Sequence, residues 1–207
     1  MLLGEIKLQA LMLIFPNDAL EYSEDNIEEL IYNLKASNTY SSYLSASVGA
    51  INRAFGSIEQ RGLSGKDMLE LELKNGTRQG EYISFDLNDH TEILKVSEVY
   101  LNGAALDFYM LTDSIINIKT AKGVGEIQLI YLKRLKRINQ ATSERHEIKL
   151  DAIEDAIAYF VKSDLLLGER ADEAVTARNI YENMLEEYMA KNGDSGIFQT
   201  VYSLGRL

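Results

Sequence analysis

Moving protons at neutral pH takes a base poised near pH 7, or two carboxylates whose surroundings drive their pKa values apart. The 207-residue chain holds two histidines, His90 and His146, and no cysteine, so a thiol nucleophile, a thiolate metal site and a disulfide framework are all excluded. Asp86, Asp89 and His90 share the segment DLNDH. That segment follows an expected strand and leads into polar residues, where Asp and Asn ordinarily serve turns. His146 stands in the charged stretch SERHE and reads as solvated. Neither a His-x-x-x-His nor an Asp-x-Asp-x-Asp-Gly spacing is present to support a metal ion. Gly123-Val124-Gly125 precedes a strand, so it reads as a hairpin turn and not as a phosphate cradle at a helix start. Ser64 in GLSGK lacks both the Gly-x-Ser-x-Gly frame and a plausible histidine partner. No catalytic residue, cofactor or metal is therefore expected. The rival reading is a carboxylate-based metal-dependent hydrolase, which requires several acids converging in one pocket.

Charge points elsewhere. With 21 Lys plus Arg against 32 Asp plus Glu, the formal net charge is −11, which disfavours broad capture of nucleic acid. Against that background Lys133, Arg134, Lys136 and Arg137 crowd into five positions, and residues 119–149 carry eight basic side chains against three acidic ones. A solvated strand end, contact with an acidic protein surface, and a small DNA-binding module are the three readings of this cluster. Residues 151–194 hold eleven acids, so complementary contacts between copies of the chain are physically reasonable. A second binding candidate is the terminal arm, in which Phe198, Val201, Tyr202 and Leu204 follow the last expected helix and have no core of their own to enter. Such residues suit a partner that accepts an added strand or an apolar anchor.

Two changes of hydrophobic period divide into three parts the elements that must position these groups. Leu3, Ile6 and Leu8 through Phe15 predict a helix ending before Pro16. Ser23 reads as the N-cap of a second helix carrying Ile27, Leu30, Ile31 and Leu34. Leu44, Val48, Ile51, Phe55 and Ile58 predict a third, kept slim by Ser45, Ser47, Gly49, Ala50 and Ala54 and closed by Gly62. From Met68 the period falls to two. Strands are expected from there and at Ile83–Leu87, 93–101, 105–111, 114–119 and 125–135, with hairpins at Asn75-Gly76 and Asn102-Gly103. After Ile148 helical spacing returns through Leu150, Ile153, Ile157, Phe160 and Val161 to Gly168. A last helix then runs from Asp172 and Glu173 to near Gly193.

The expected class is α+β: a helical bundle formed from both ends of the chain, an inserted antiparallel β module, and an extended C-terminal arm. Its parts are residues 1–65, 66–145, 146–192 and 193–207. The apolar amino terminus lacks a basic leader and a cleavage pattern, and no apolar run reaches about 18 residues, so neither a signal peptide nor a membrane span is expected.

The run Ile51-Asn52-Arg53-Ala54-Phe55 with Ile58-Glu59 follows an acidic helix and a Tyr-Ser-Ser-Tyr-Leu break. It resembles the opening of tailed-bacteriophage head-to-tail connector proteins, the adaptor or neck family. The later order is similar as well: a β module closing on Ile130-Tyr131, then Leu150, Ala156, Ile157, Tyr159 and Lys162-Ser163-Asp164-Leu165-Leu166, then Ala174 and Tyr181. The likeness spans most of residues 40–190. It implies a virion protein of the neck, assembled in the host cytoplasm as a ring of twelve copies. Such a ring docks beneath the portal protein, extends the DNA channel without sequence-specific binding, and offers a platform to downstream neck or tail proteins. On this reading Phe198, Val201, Tyr202, Leu204, Lys133, Arg134, Lys136 and Arg137 contact the portal or a neighbouring subunit.

Overall fold

The computed structural model describes residues 1–18, 20–150 and 153–192, and the chain divides into two compact units. Residues 1–51 and those from 139 onward make one unit, so both ends of the chain contribute to it; residues 52–138 make the other. Among the described residues the protein is mixed α+β, with five α-helices and two antiparallel sheets.

The first unit contains α1 (Leu3–Ile14), α2 (Ile27–Lys35), the opening turns of α3 (Ser41–Gln60), α4 (Glu154–Leu166) and α5 (Ala171–Asn192). Helix α1 packs against α2 and α4, and α4 against α5. Nearly every side of α1 is covered, with Leu3, Ile6, Leu8, Ala10, Leu11 and Ile14 all buried. Its apolar run therefore lacks a single stripe, as a centrally placed helix should. The first amides of α1 are satisfied from the far end of the sequence: Leu3 N donates to the His146 carbonyl at 2.8 Å and Gly4 N to that of Glu144 at 2.9 Å. Glu5 accepts Leu2 N at 2.6 Å. A Cβ on Gly4 would come within 2.8 Å of Ile27, so the missing side chain lets α1 and α2 approach closely.

The expected N-cap at Ser23 is displaced. Residues Ser23–Asn26 form a turn, with Asn26 N donating to the Ser23 carbonyl and Ser23 N donating to Asn26 Oδ1 at 2.7 Å. That turn carries Glu24 and Asp25, so the helix starts at Ile27 and its first-turn acids are Glu28 and Glu29. Gly62 does close α3. It takes φ +70°, donating to the Glu59 carbonyl while Leu63 N donates to that of Ile58, the paired bonds of a Schellman ending. Helix α4 begins later than its periodicity suggests, because Leu150 N is held by Glu154 Oε1 at 2.9 Å and the chain turns helical only from Glu154. In α5 the core stripe is Ala174, Ala177, Tyr181 and Leu185.

The second unit adds the last turns of α3 to strands β1 (Lys66–Glu72), β2 (Thr77–Gln79), β3 (Tyr82–Asp86), β4 (Ile93–Leu101), β5 (Ala104–Ala105), β6 (Phe108–Met110), β7 (Ile115–Lys119) and β8 (Glu126–Lys133). The sheets run β1-β8-β4-β5 and β2-β3-β7-β6. Ile83 and Phe85 of β3 and Ile116 and Ile118 of β7 share one core with Val96, Val99 and Leu101 of β4 and Ile127 and Leu129 of β8. Each sheet thus turns an alternate set of residues inward, and their common burial holds the two together.

Three connections differ from expectation for one reason: the chain changes sheet where the sequence predicts a hairpin or an unbroken strand. Asn75-Gly76 closes a short 3-10 turn over Leu73–Asn75 between β1 and β2, which lie in different sheets. Gly76 has φ −86°, and glycine is needed there because a Cβ would collide with Ile83 and the Phe85 ring. Gly123-Val124-Gly125 likewise leads from β7 in one sheet to β8 in the other. The strand expected over 105–111 is broken at Leu106-Asp107, leaving β5 in one sheet and β6 in the other. Asn102-Gly103 is the hairpin expected, with φ +52° and +79° in a tight turn from β4 to β5. No helix among the described residues is long and apolar enough to cross a membrane.

Candidate functional site

The basic cluster sits on the path by which the chain leaves the β module. Strand β8 ends at Lys133, so Arg134–Arg137 form a connection beyond the sheet and not a strand end with alternating faces. Helix α3 holds that connection. Asn52 donates through Nδ2 to the Ile138 carbonyl at 2.8 Å and accepts Ile138 N at Oδ1 at 3.0 Å, so one amide side chain completes both backbone bonds of a residue 86 positions away. Two helical turns on, on the same face, Glu59 accepts Leu135 N at 2.7 Å and the Arg137 guanidinium through both carboxylate oxygens. Arg134 N donates to the Glu92 carbonyl and Lys133 N to that of Gly65.

The four basic residues consequently separate into two kinds. Arg137 is bound to Glu59, whose carboxylate side chain is only 9% exposed. Among the described residues no side-chain hydrogen bond or ion pair engages Lys133, Arg134 or Lys136, although the backbone around them is fixed at four points. Lys95, next to Leu132 across β4 and β8, is likewise exposed and unengaged. A rigid strip of cations with free side chains suits anionic contact, because little backbone order is lost on binding. Phe198, Val201, Tyr202 and Leu204 lie outside the described residues.

Groups with possible chemistry prove dispersed. Asp86 accepts Asn88 N at 2.9 Å, His90 N donates to the Leu87 carbonyl, and the His90 ring faces Glu92 at 3.3 Å, which is turn geometry. Asp89 is exposed. His146 is half-buried, and its carbonyl caps α1. Ser64 is buried, with an Oγ that has no hydrogen-bond partner among the described residues. Among the described residues no three His, Asp or Glu side chains gather as metal ligands. A surface depression is lined by Glu72, Lys74, Val124, Gly125 and Glu126, all exposed, with Lys74 paired to Glu72 at 2.7 Å.

One buried charge group escaped the sequence reading. Lys7 Nζ, on the inner side of α1, contacts both Glu144 oxygens at 2.9 and 2.8 Å, and Lys35 reaches the same carboxylate at 3.1 Å. Burial pushes the Lys7 ammonium below its ordinary range, opposed by the hydrogen bond and charge of Glu144. With the backbone bonds of residues 144–148, this pair fastens the start of the chain to the segment that follows the β module. The only sequence signal for it was a lysine within an apolar helix.

The chain matches no protein-family model and no curated protein sequence.

Proposed function

We propose that the protein is a structural component of a tailed-phage virion: a head-to-tail adaptor that assembles as a ring, docks beneath the portal, extends the DNA channel and presents a platform to the tail. On this reading the two ends of the chain build a helical bundle, the β module is an insert in its sequence, and the C-terminal arm clasps the portal or a neighbouring subunit. The supporting observation is the way the insert is mounted. Residues 1–51 and those from 139 onward form one unit and the β strands fall in the segment between them, whose exit is tied to α3 by Asn52 and Glu59, two residues of the run that carries the family resemblance. Net charge −11 suits a channel that DNA slides through without being gripped.

Imaging of particles carrying the tagged chain tests the proposal directly. Density for it as a closed ring between capsid and tail is the expected result; a soluble monomer absent from particles refutes it. Deleting residues 193–207 should leave the circular dichroism and melting temperature unchanged while abolishing capture by the portal. Unimpaired capture would remove the arm from the proposal.

A further inference from the structure

We propose that the cation strip of Lys133, Arg134 and Lys136 docks on the acidic start of α2 in a neighbouring copy of this chain. This deepens the ring reading by naming the two surfaces that meet. The acidic face is the densest run of carboxylates with free side chains among the described residues. Between residues 18 and 29 lie Asp18, Glu21, Glu24, Asp25, Glu28 and Glu29, with no basic residue among them. Asp18 is taken by the Tyr40 hydroxyl and Glu28 by Ser143 and Arg145. Glu21, Glu24, Asp25 and Glu29 are exposed, and among the described residues no side-chain bond or ion pair engages their carboxylates. Helix α5 offers less, because Glu173 is paired with Arg170 and Lys162, and Glu187 with Lys191.

An anchor accompanies the acids. Tyr32 is 75% exposed on α2, three and four residues beyond Glu29 and Glu28 and hence on their face. A phenol ring among carboxylates receives a guanidinium well, through its π face and the charges beside it. Arg134 is exposed on the strip, and among the described residues its guanidinium has no partner to give up. The two patches differ, so the contact is heterologous and runs head to tail, the kind that closes into a ring when the rotation fits.

The test is charge reversal in the full chain, read by sedimentation at about 0.05 and about 0.5 M salt. Lys133→Glu with Arg134→Glu and Lys136→Glu is one variant; Glu21→Lys with Glu24→Lys and Glu29→Lys is the other. Five of the six sites are exposed and Lys133 is half-buried, and circular dichroism verifies that each variant is folded. Self-association at low salt should weaken about tenfold or more in each variant, and a mixture of the two should associate with an affinity near wild type. Tyr32→Ala should weaken it as well, with less dependence on salt. Wild-type association by either reversed variant, a mixture no better than its components, or a wild-type chain that stays monomeric in solution would overturn the contact. Particles that keep their ring with either reversed variant would overturn it too while leaving the adaptor reading intact. A chain missing from particles, with charge-reversal behaviour as expected, would refute the adaptor reading alone.

Discussion

At the scale of single residues, the polar side chains that matter most are those that finish someone else's backbone. Asn52 is the clearest. Replacing it with Ala strips Ile138 of a donor and an acceptor at once in a half-buried setting, and a loss of about 2 kcal/mol is expected from chemical denaturation. Asn52→Asp keeps the acceptor for Ile138 N but sets an oxygen against the Ile138 carbonyl, so it should fail to restore stability. The same logic divides the basic cluster. Arg137→Ser breaks the pair with Glu59 and should lower the stability, whereas Lys133→Ser, Arg134→Ser and Lys136→Ser should leave it within about 0.5 kcal/mol of wild type in chemical denaturation. Any effect of those three on partner docking should fade as salt rises. Lys7 behaves differently again. Glu144→Gln leaves a buried ammonium uncompensated and should cost about 3 kcal/mol, while Lys7→Met with Glu144→Gln should recover much of that. Because the folded state holds Lys7 below its ordinary pKa, the unfolded chain carries the extra proton in the window between the lowered value and 10.5. Lys7 therefore penalises the fold at neutral pH, and the penalty eases as pH rises through that window.

Elements were legible in the sequence wherever one period or one turn decided them. The Gly62 ending, the Asn102-Gly103 hairpin and the helix before Pro16 all follow from local chemistry. What sequence could not show was which strands share a sheet. Asn75-Gly76 has hairpin composition, yet its flanking strands belong to opposite sheets, because burial of Leu73 beneath Gly125 and the core outweighs a local turn preference. Register across β1, β8 and β4 is likewise a non-local outcome. The candidate site was legible only in part, since the cluster at 133–137 is plain in composition while its partner Glu59 lies 78 residues from Arg137. Two glycines separate local from tertiary causes. Gly80 takes φ +61° with open space around it, so Gly80→Ala should cost about 1 kcal/mol from backbone strain alone. Gly76→Ala drives a methyl into Ile83 and Phe85 on an extended backbone, and should cost about 1–3 kcal/mol through packing. Equal losses in urea titrations would mean that the core yields around residue 76.

For the whole molecule, the decisive feature is that α3 belongs to both units. Leu44, Val48 and Ile51 are buried in its first turns, and Ala54, Phe55 and Ile58 in its last, with the division falling between Ile51 and Asn52. A helix is costly to start and cheap to extend, so stopping it midway forfeits hydrogen bonds on both sides of the break without recovering the cost of nucleation. Each unit is also closed by segments that are distant in sequence: Lys7 with Glu144 in one, Asn52 with Ile138 in the other. The units are joined covalently at both ends of the insert, so melting the insert leaves the first unit to close a long loop. The chain should accordingly unfold in one calorimetric transition, with the calorimetric enthalpy equal to the van't Hoff enthalpy. Inserting two glycines between Ile51 and Asn52 uncouples the halves of α3, and should split that transition in two while preserving the antiparallel pairing of β1, β8 and β4. A single transition surviving the insertion would locate the coupling elsewhere than in the shared helix.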